Sequence, residues 1–243
     1  MRRIALIADL HGNLPATMAL EKDLYCRGLN EIWCLGDLVG KGPHSAETFD
    51  WVMARCSVVL RGNWDEGIAR RHFAKNDQFY YDQLGDQRMQ KLGELPLEHH
   101  FTLSGKRIRL LHGRPIMKEL QSTRDTSDNL RWLFEPDFDV VGYADVHRPG
   151  YRSLSFPGLL FNVGSVGNAL GVPTVQYAIL QGEDGASPAP FDITFVTLPY
   201  DNEQAVRDAE NAPDLPMQQS YIKEIRYGKY GRKLPSTKPN IEF

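Results

Sequence analysis

The stretch IALIADLHGN (Ile4–Asn13) places an aspartate and a histidine, Asp9 and His11, directly after an apolar run. The run has the length and the continuous apolar character of a strand that is buried on both faces. A carboxylate and an imidazole delivered together at the end of a buried strand are suitable ligands for a divalent metal ion. Taken alone, the pair also fits a capped turn between a strand and a helix, so the rest of the chain has to separate the two interpretations.

Strand and helix patterns alternate through the first quarter of the chain. The predicted order is strand 3–9, helix 14–27, strand 31–35, helix 45–55 and strand 57–60. Pro15 suits the first turn of the first helix, and Gly28 suits its end. A β-α-β-α-β order implies parallel strands joined by right-handed crossovers. The fold class is therefore predicted to be α/β.

The rest of the chain adds helices and a second set of strands. Residues 64–95 are polar and favour one or two helices over the sheet edge, and Thr126–Phe134 favours a short helix. Strand patterns lie at 99–103, 107–111, 138–142, 151–156, 159–163, 174–180 and 192–198. We predict one domain over residues 1–243, with a helical insertion at 64–95 and C-terminal helices within 201–226. The basic tail from Gly228 is expected to be loosely ordered.

Composition excludes several classes of protein. A formal charge of −3 gives no electrostatic footprint for a nucleic-acid polymer or an anionic membrane. Three cysteines without a CxxC spacing favour reduced thiols over a disulfide framework. No apolar run approaches the roughly 20 residues that span a bilayer. We expect a cytoplasmic protein, whose oligomeric state the sequence leaves open.

Polar residues of the same kind follow other apolar runs. They are Asp37 after 32–35, Asn63 after 58–60, His112 after 108–111, and the pair Asp145 and His147. Parallel strands present their carboxyl ends at one edge of a sheet, where open α/β folds place their sites. Mixed carboxylate and imidazole ligands suit manganese, iron or zinc better than calcium. The set is large enough for two ions about 3.5–4 Å apart.

In this order, the motifs resemble those of the calcineurin-like metallophosphoesterases, and more closely the small bacterial and archaeal phosphodiesterase branch. The residues that carry the resemblance are Asp9-x-His11, Gly36-Asp37, Gly62-Asn63-x-Asp65, His112-Gly113, Asp145-x-His147 and Phe161-Asn162-Val163-Gly164-Ser165-Val166-Gly167. The resemblance runs from residue 3 to about residue 200. It implies a four-layer α/β/β/α sandwich built from two mixed sheets.

The resemblance also implies roles for the individual residues. Asp9, His11 and His147 would hold one metal ion, and Asp37 would bridge to a second. The second ion would be held by Asn63, His112 and Asp145. The implied cofactors are two divalent ions, with manganese expected first and iron, zinc, nickel or magnesium as alternatives. A hydroxide between the ions would attack phosphorus in line. The candidate catalytic residues are Asp37, Asn63, Asp65 and His112, with Asp65 orienting a neighbour.

Two positions depart from the family pattern. Trp64 stands where the family has a histidine that protonates the leaving oxygen or stabilises the transition state, and an indole is only a hydrogen-bond donor. Asp145 stands where the family has another histidine. Its carboxylate adds negative charge, so we expect the second site to favour harder ions such as Mn²⁺. Loss of the acid predicts that activated diesters and pyrophosphate-type bonds are cleaved better than alkyl phosphate monoesters.

Four further residues flank the site motifs and are candidates for binding a small phosphorylated substrate. They are Lys41, His44, Arg114 and Arg148. A solvated loop is the alternative for His44, and a solvent-facing charge is the alternative for the other three. Gly164–Gly167 is expected to form a tight turn near the metals.

Two functions follow from these observations. The leading one is a metal-dependent phosphoesterase that acts on a small phosphodiester or nucleotide polyphosphate. The alternative is a binding scaffold that has lost catalysis, as in the retromer scaffold subunit of this fold, which also lacks the catalytic histidine. All remaining ligand positions carry residue types that can bind a metal ion, which favours the enzyme, whereas the changes at Trp64 and Asp145 count against it.

Overall fold

The computed structural model of the chain describes residues 1–72 and 77–231. The strands are β1 (Arg2–Ile7), β2 (Ile32–Cys34), β3 (Val58–Val59), β4 (Glu98–Leu103), β5 (Lys106–Leu111), β6 (Val140–Tyr143), β7 (Gly150–Ser153), β8 (Leu159–Asn162), β9 (Val175–Gly182) and β10 (Asp192–Leu198). The helices are α1 (Leu14–Cys26), α2 (Ser45–Arg55), α3 (Asn63–Ala69), α4 (Gln78–Glu94), α5 (Ser127–Leu130), α6 (Asn202–Glu210) and α7 (Gln218–Tyr227), and a 3-10 turn spans Arg131–Phe134.

The strands form two five-stranded mixed sheets. The first has the order β10-β9-β1-β2-β3, in which β1, β2 and β3 are parallel and β9 is antiparallel to β1. The second has the order β4-β5-β6-β8-β7, in which β5, β6 and β8 are parallel. The parallel strands at the centre of each sheet deliver their carboxyl ends to the same region, where the predicted site residues follow them.

Strand β1 is apolar on both faces because it packs against a layer on each side. Ile4, Leu6 and Ala8 belong to the core between the two sheets. Ala5 and Ile7 face the opposite core, beneath helices such as α1, α2, α6 and α7. A third core lies between the second sheet and the α5 region. These layers confirm the four-layer α/β/β/α sandwich.

The helices begin where local sequence predicts. The Asn13 side chain caps α1 by accepting a hydrogen bond from Ala16 N at 3.2 Å, and Pro15 occupies the first turn. The predicted insertion 64–95 is two helices, α3 and α4, and Gly85 interrupts α4 with a φ of 63°. Residues 73–76 and the tail beyond residue 231 lie outside the described residues. None of the described helices has the length and apolar content that crossing a bilayer requires.

Candidate metal centre

The loops after β1 and β2 bring the first ligands together through backbone hydrogen bonds. Asp9 N donates to Gly36 O at 2.9 Å, and His11 N donates to Asp37 O at 3.1 Å. The second sheet joins them, because His112, which follows β5, donates from Nδ1 to Leu35 O at 2.9 Å just after β2. The predicted turn also lies here, since Ser165 Oγ donates to Asp9 O at 3.0 Å. Residues far apart in the chain thus converge on one buried point.

Asp9, His11 and His147 form one candidate group of metal ligands. Their ligand atoms face each other, with His11 Nε2 3.2 Å from His147 Nε2 and His147 Nε2 3.4 Å from Asp9 Oδ1. All three residues are buried. This is the set predicted for the first ion.

Asp9, Asp37 and His112 form a second buried group. His112 Nε2 lies 3.3 Å from Asp37 Oδ2 and 3.8 Å from Asp9 Oδ1. Asp9 belongs to both groups, and Asp37 Oδ2 also lies 3.5 Å from His11 Nε2. Either carboxylate is therefore placed between the groups, and the bridging role assigned to Asp37 stays a prediction.

Backbone carbonyls orient all three imidazoles. His11 Nδ1 donates to Val39 O at 3.3 Å, and His112 Nδ1 donates to Leu35 O at 2.9 Å. His147 Nδ1 donates to Asn168 O at 2.6 Å. A carbonyl only accepts, so each Nδ1 carries the hydrogen and each Nε2 faces the carboxylates, where its lone pair can bind a metal ion once the ring is neutral. Metal-binding histidines are held in this way.

The polar atoms at the centre fit a divalent ion. Both carboxylate oxygens of Asp9, Nε2 of His112 and Oδ1 of Asn63 are buried and make no hydrogen bond within residues 1–72 and 77–231. Buried polar atoms without partners are costly. The atoms of Asp9 and His112 belong to the two groups described above, where a cation would satisfy them. Asn63 begins α3, whose next residue, Trp64, binds Asp37, and the role of Asn63 as a ligand stays a prediction.

The pKa values reflect this crowding of charge. Burial raises the pKa of Asp9 well above its usual range, although His112 opposes the shift. Burial lowers the pKa of His112, but the carboxylates of Asp37 and Asp9 outweigh it and raise the pKa to about 10. Burial, followed by the charge of Lys41, holds the pKa of His11 well below its usual value. A bound cation would relieve the repulsion between the carboxylates.

Asp145 lies beside the cluster with its carboxylate bound to an arginine. Its Oδ2 accepts from Arg114 Nε at 2.7 Å and from Arg114 N at 3.0 Å, and its Oδ1 lies 2.5 Å from Arg114 Nη2. Burial acts to raise the pKa of Asp145, but the hydrogen bonds from Arg114 outweigh it and lower the pKa. Asp145 belongs to neither group of ligands described above. Its predicted role as a metal ligand stays a prediction.

Trp64 packs at the edge of the cluster. Its ring lies edge-on to His11, with 5.8 Å between ring centroids, and edge-on to Tyr80. A Cβ on Gly40 would collide with the indole, so a glycine is needed there. Trp64 N donates to Asp37 Oδ1 at 2.8 Å. The side chain is therefore part of the core and also a wall of the site.

The predicted substrate-binding residues are dispersed around the site. Lys41 is buried, and its Nζ lies 3.4 Å from His147 Nε2. The His44 ring contacts Glu47 and Asp208 at 3.2 Å each, on the side of α6. Arg114 is held by Asp145 and is 40% exposed. Arg148 is half-buried, and burial together with the charge of Arg124 lowers its pKa.

Asn168 is a site residue that the sequence analysis missed. Its carbonyl orients His147, and its Oδ1 accepts from Lys41 Nζ at 2.8 Å. The available signal was its place directly after the predicted turn at Gly164–Gly167.

Left-handed backbone is concentrated at the cluster. Six of the nine non-glycine residues with positive φ in the described chain lie here: Asp9, His11, Asp37, Lys41, Asp145 and His147, with φ between 48° and 67°. Such conformations are unfavourable for residues with a Cβ and occur at functional sites.

The chain is similar to known proteins both in sequence and in structure. The family model for calcineurin-like phosphoesterases matches residues 2–177. An uncharacterised protein of Methanocaldococcus jannaschii is 27% identical over 237 residues, which cover 83% of this chain and 89% of that protein. A metallophosphoesterase from Sphaerobacter thermophilus superposes with a TM-score of 0.73 at 22% identity, covering 93% of this chain and 99% of that one. A hypothetical protein from Pyrococcus horikoshii gives a TM-score of 0.74 at 22% identity, with 94% and 99% covered. At 22% identity, the similarity to these two structures establishes the fold and nothing further.

Proposed function

Because the chain belongs to the calcineurin-like phosphoesterase family, we propose that it hydrolyses a small phosphodiester or nucleotide polyphosphate. The family and the two buried groups of ligands support a metal-dependent phosphoesterase with a dimetal site. The observation that carries the proposal is the pair of buried ligand groups that share Asp9, whose two carboxylate oxygens make no hydrogen bond within the described residues.

The residues that would hold the ions are Asp9, Asp37, His11, His112 and His147. When bound, divalent ions lower the pKa of water and neutralise charge on the phosphoryl oxygens. We propose manganese first, because the ligands combine carboxylates with imidazoles. Zinc, iron, nickel and magnesium are the alternatives for a metal analysis to separate.

A preference for diesters and pyrophosphate-type bonds is supported by Trp64. The indole N–H does not ionise near neutral pH and is only a hydrogen-bond donor, so Trp64 supplies no acid for a poor leaving group. General acids contribute about 10²–10⁴-fold where they are needed. Activated diesters are therefore expected to react faster than alkyl phosphate monoesters, and equal turnover of the two would contradict the preference.

The substrate is proposed to be small and phosphorylated. The Arg114 guanidinium forms an ion pair with Asp145 and is partly exposed, and we propose that it binds a non-reacting phosphate oxygen. Arg148 is a second candidate. The formal charge of −3 supports neither a nucleic-acid polymer nor a membrane surface as partner. The cytoplasmic location stays a prediction.

The direct test is hydrolysis of bis(4-nitrophenyl) phosphate with added Mn²⁺. We expect turnover in the native chain and a loss of about 10²–10⁴-fold in Asp9→Asn and Asp37→Asn, because metal ions supply several kcal/mol of transition-state stabilisation. Asp86→Asn removes a fully exposed carboxylate and is the matched control. No turnover with two ions bound would contradict the proposal and favour the scaffold function.

A further inference from the structure

Lys41 places a buried cation against the metal centre. Only 7% of the residue is exposed, and its backbone is left-handed with a φ of 58°. The Nζ atom lies 3.4 Å from His147 Nε2 and donates to Asn168 Oδ1 at 2.8 Å. Burying an ammonium is costly unless it is compensated. A peripheral contact to phosphate would not require this burial.

Trp64 borders the same ammonium. Lys41 Nζ lies 5.9 Å from the centroid of the indole, which also contacts His11. The indole is wedged against Gly40, the residue before Lys41, so the loop and the ring fix each other. The chain therefore brings a lysine amino group next to the residue that replaces the family's histidine.

We propose that Lys41 is a catalytic residue, whose ammonium stabilises the negative charge that develops on the leaving oxygen. The proposal rests on the phosphoesterase function proposed above. It differs from the contact to a non-reacting phosphate that the sequence predicts for Lys41. The neutral indole at position 64 brings no positive charge to this role.

The proposed step needs no further reagent. The oxygen of water forms a bond to phosphorus and one water proton is released to solvent. The bond between phosphorus and the leaving oxygen breaks with its electron pair going to that oxygen. Lys41 holds the departing anion through an N–H group and keeps its own proton. Because Asn168 already orients Nζ, little reorganisation is required during the reaction.

The test compares Lys41→Met with the native chain on methyl aryl phosphodiesters whose leaving groups range from 4-nitrophenol to phenol. We expect kcat to fall about 10²–10³-fold for the phenyl ester, as for removal of one oxyanion donor. The loss for the 4-nitrophenyl ester is expected to be smaller, at about tenfold or less, because its leaving anion needs less stabilisation. Lys106→Met removes a lysine from the far end of β5 and is the control for net charge.

A second variant and a binding measurement keep the outcomes distinct. Lys41→Arg retains the charge and is expected to recover part of the phenyl ester rate. This variant keeps the proposal testable even if Lys41→Met fails to fold. Calorimetric titration with Mn²⁺ is expected to give the same stoichiometry in all variants. An equal loss of kcat across the ester series would overturn the role of Lys41 but not the phosphoesterase function. Tighter Mn²⁺ binding in Lys41→Met, without a larger loss of kcat for the phenyl ester, would have the same meaning. A native chain that binds two ions and cleaves none of the esters would overturn the proposed function with it.

Discussion

The carboxylate of Asp65 accepts three backbone hydrogen bonds, from Asp37 N at 2.8 Å, Leu38 N at 3.0 Å and Gly62 N at 2.9 Å. Burial and the charge of Asp37 raise the pKa of Asp65 to about 7, against the opposing effect of these N–H groups. A Cβ on Gly62 would collide with Asp37 Oδ1, so the two loops pack backbone to backbone. Asp65 therefore acts on the metal centre by fixing the loop that carries Asp37.

Asp65→Asn tests this positioning role. The amide group would turn an N–H donor toward backbone donors, so we expect a loss of about 2–3 kcal/mol in the free energy of unfolding. Displacement of Asp37 is expected to weaken Mn²⁺ binding about 10–100-fold. Urea unfolding and calorimetric titration measure the two effects. Unchanged Mn²⁺ affinity would show that Asp65 serves stability alone, and Asp86→Asn should alter neither quantity.

Arg114 occupies lone pairs of Asp145 that a metal ion would need if Asp145 has its predicted role as a ligand. Arg114→Met frees these lone pairs while keeping an extended side chain. We expect the second Mn²⁺ to bind about tenfold more tightly, since one charged hydrogen bond is worth about 1.5–3 kcal/mol. We also expect KM for a phosphodiester to rise. Arg226→Met breaks the ion pair with Glu203 on the surface and is the control. Weaker Mn²⁺ binding in Arg114→Met would mean that the ion pair holds the site together.

At the scale of elements, the sequence predicts strands and helices well but not the geometry of the loops between them. The pattern 45–55 matches α2 residue for residue, because its apolar spacing and flanking residues agree. The left-handed backbone at Asp9 and Lys41 carries no sequence signal, since neither position is a glycine. The sequence does not predict the burial of Lys41 either, because that burial depends on Asn168, which lies 127 positions further along the chain.

The contact between Gly40 and Trp64 joins the loop after β2 to helix α3. Gly40→Ala would place a methyl group against the indole, and we expect it to cost about 2–4 kcal/mol of unfolding free energy. Gly28→Ala is the matched control: its φ of 62° is similarly left-handed and no atom lies within 4 Å of the added Cβ. Its cost should be about 1 kcal/mol, from backbone strain alone.

A double-mutant cycle with Trp64→Ala isolates the steric part of that cost. In the Trp64→Ala background, Gly40→Ala should cost no more than Gly28→Ala does in the native chain. The measurement is urea unfolding of the four proteins of the cycle and of Gly28→Ala. Additive effects would mean that the indole moves aside freely, and that Trp64 does not fix the loop that carries Lys41.

At the scale of the whole molecule, the metal centre joins the two sheets. Asp9, His11 and Asp37 follow strands of the first sheet, whereas His112 and His147 follow strands of the second. The order of motifs along the chain predicts this convergence, because the resemblance supplies the topology of both sheets. Apolar periodicity alone predicts only the parallel strands of the first sheet. It does not show which strands pair when they lie far apart in the chain.

Because the candidate metal ligands follow strands of both sheets, a bound ion would link the two sheets. Metal binding should therefore stabilise the entire fold. With Mn²⁺ at about 1,000 times its dissociation constant, the gain is about 4 kcal/mol for each ion bound only by the folded state. At roughly 2–4 °C per kcal/mol for a chain of this size, Tm should rise by about 8–16 °C per ion. Calorimetry with Mn²⁺ against EDTA measures the shift. Asp37→Asn should lose most of it, while Asp86→Asn should retain it. A native chain whose Tm is the same in Mn²⁺ and in EDTA would contradict a metal site that spans the two sheets.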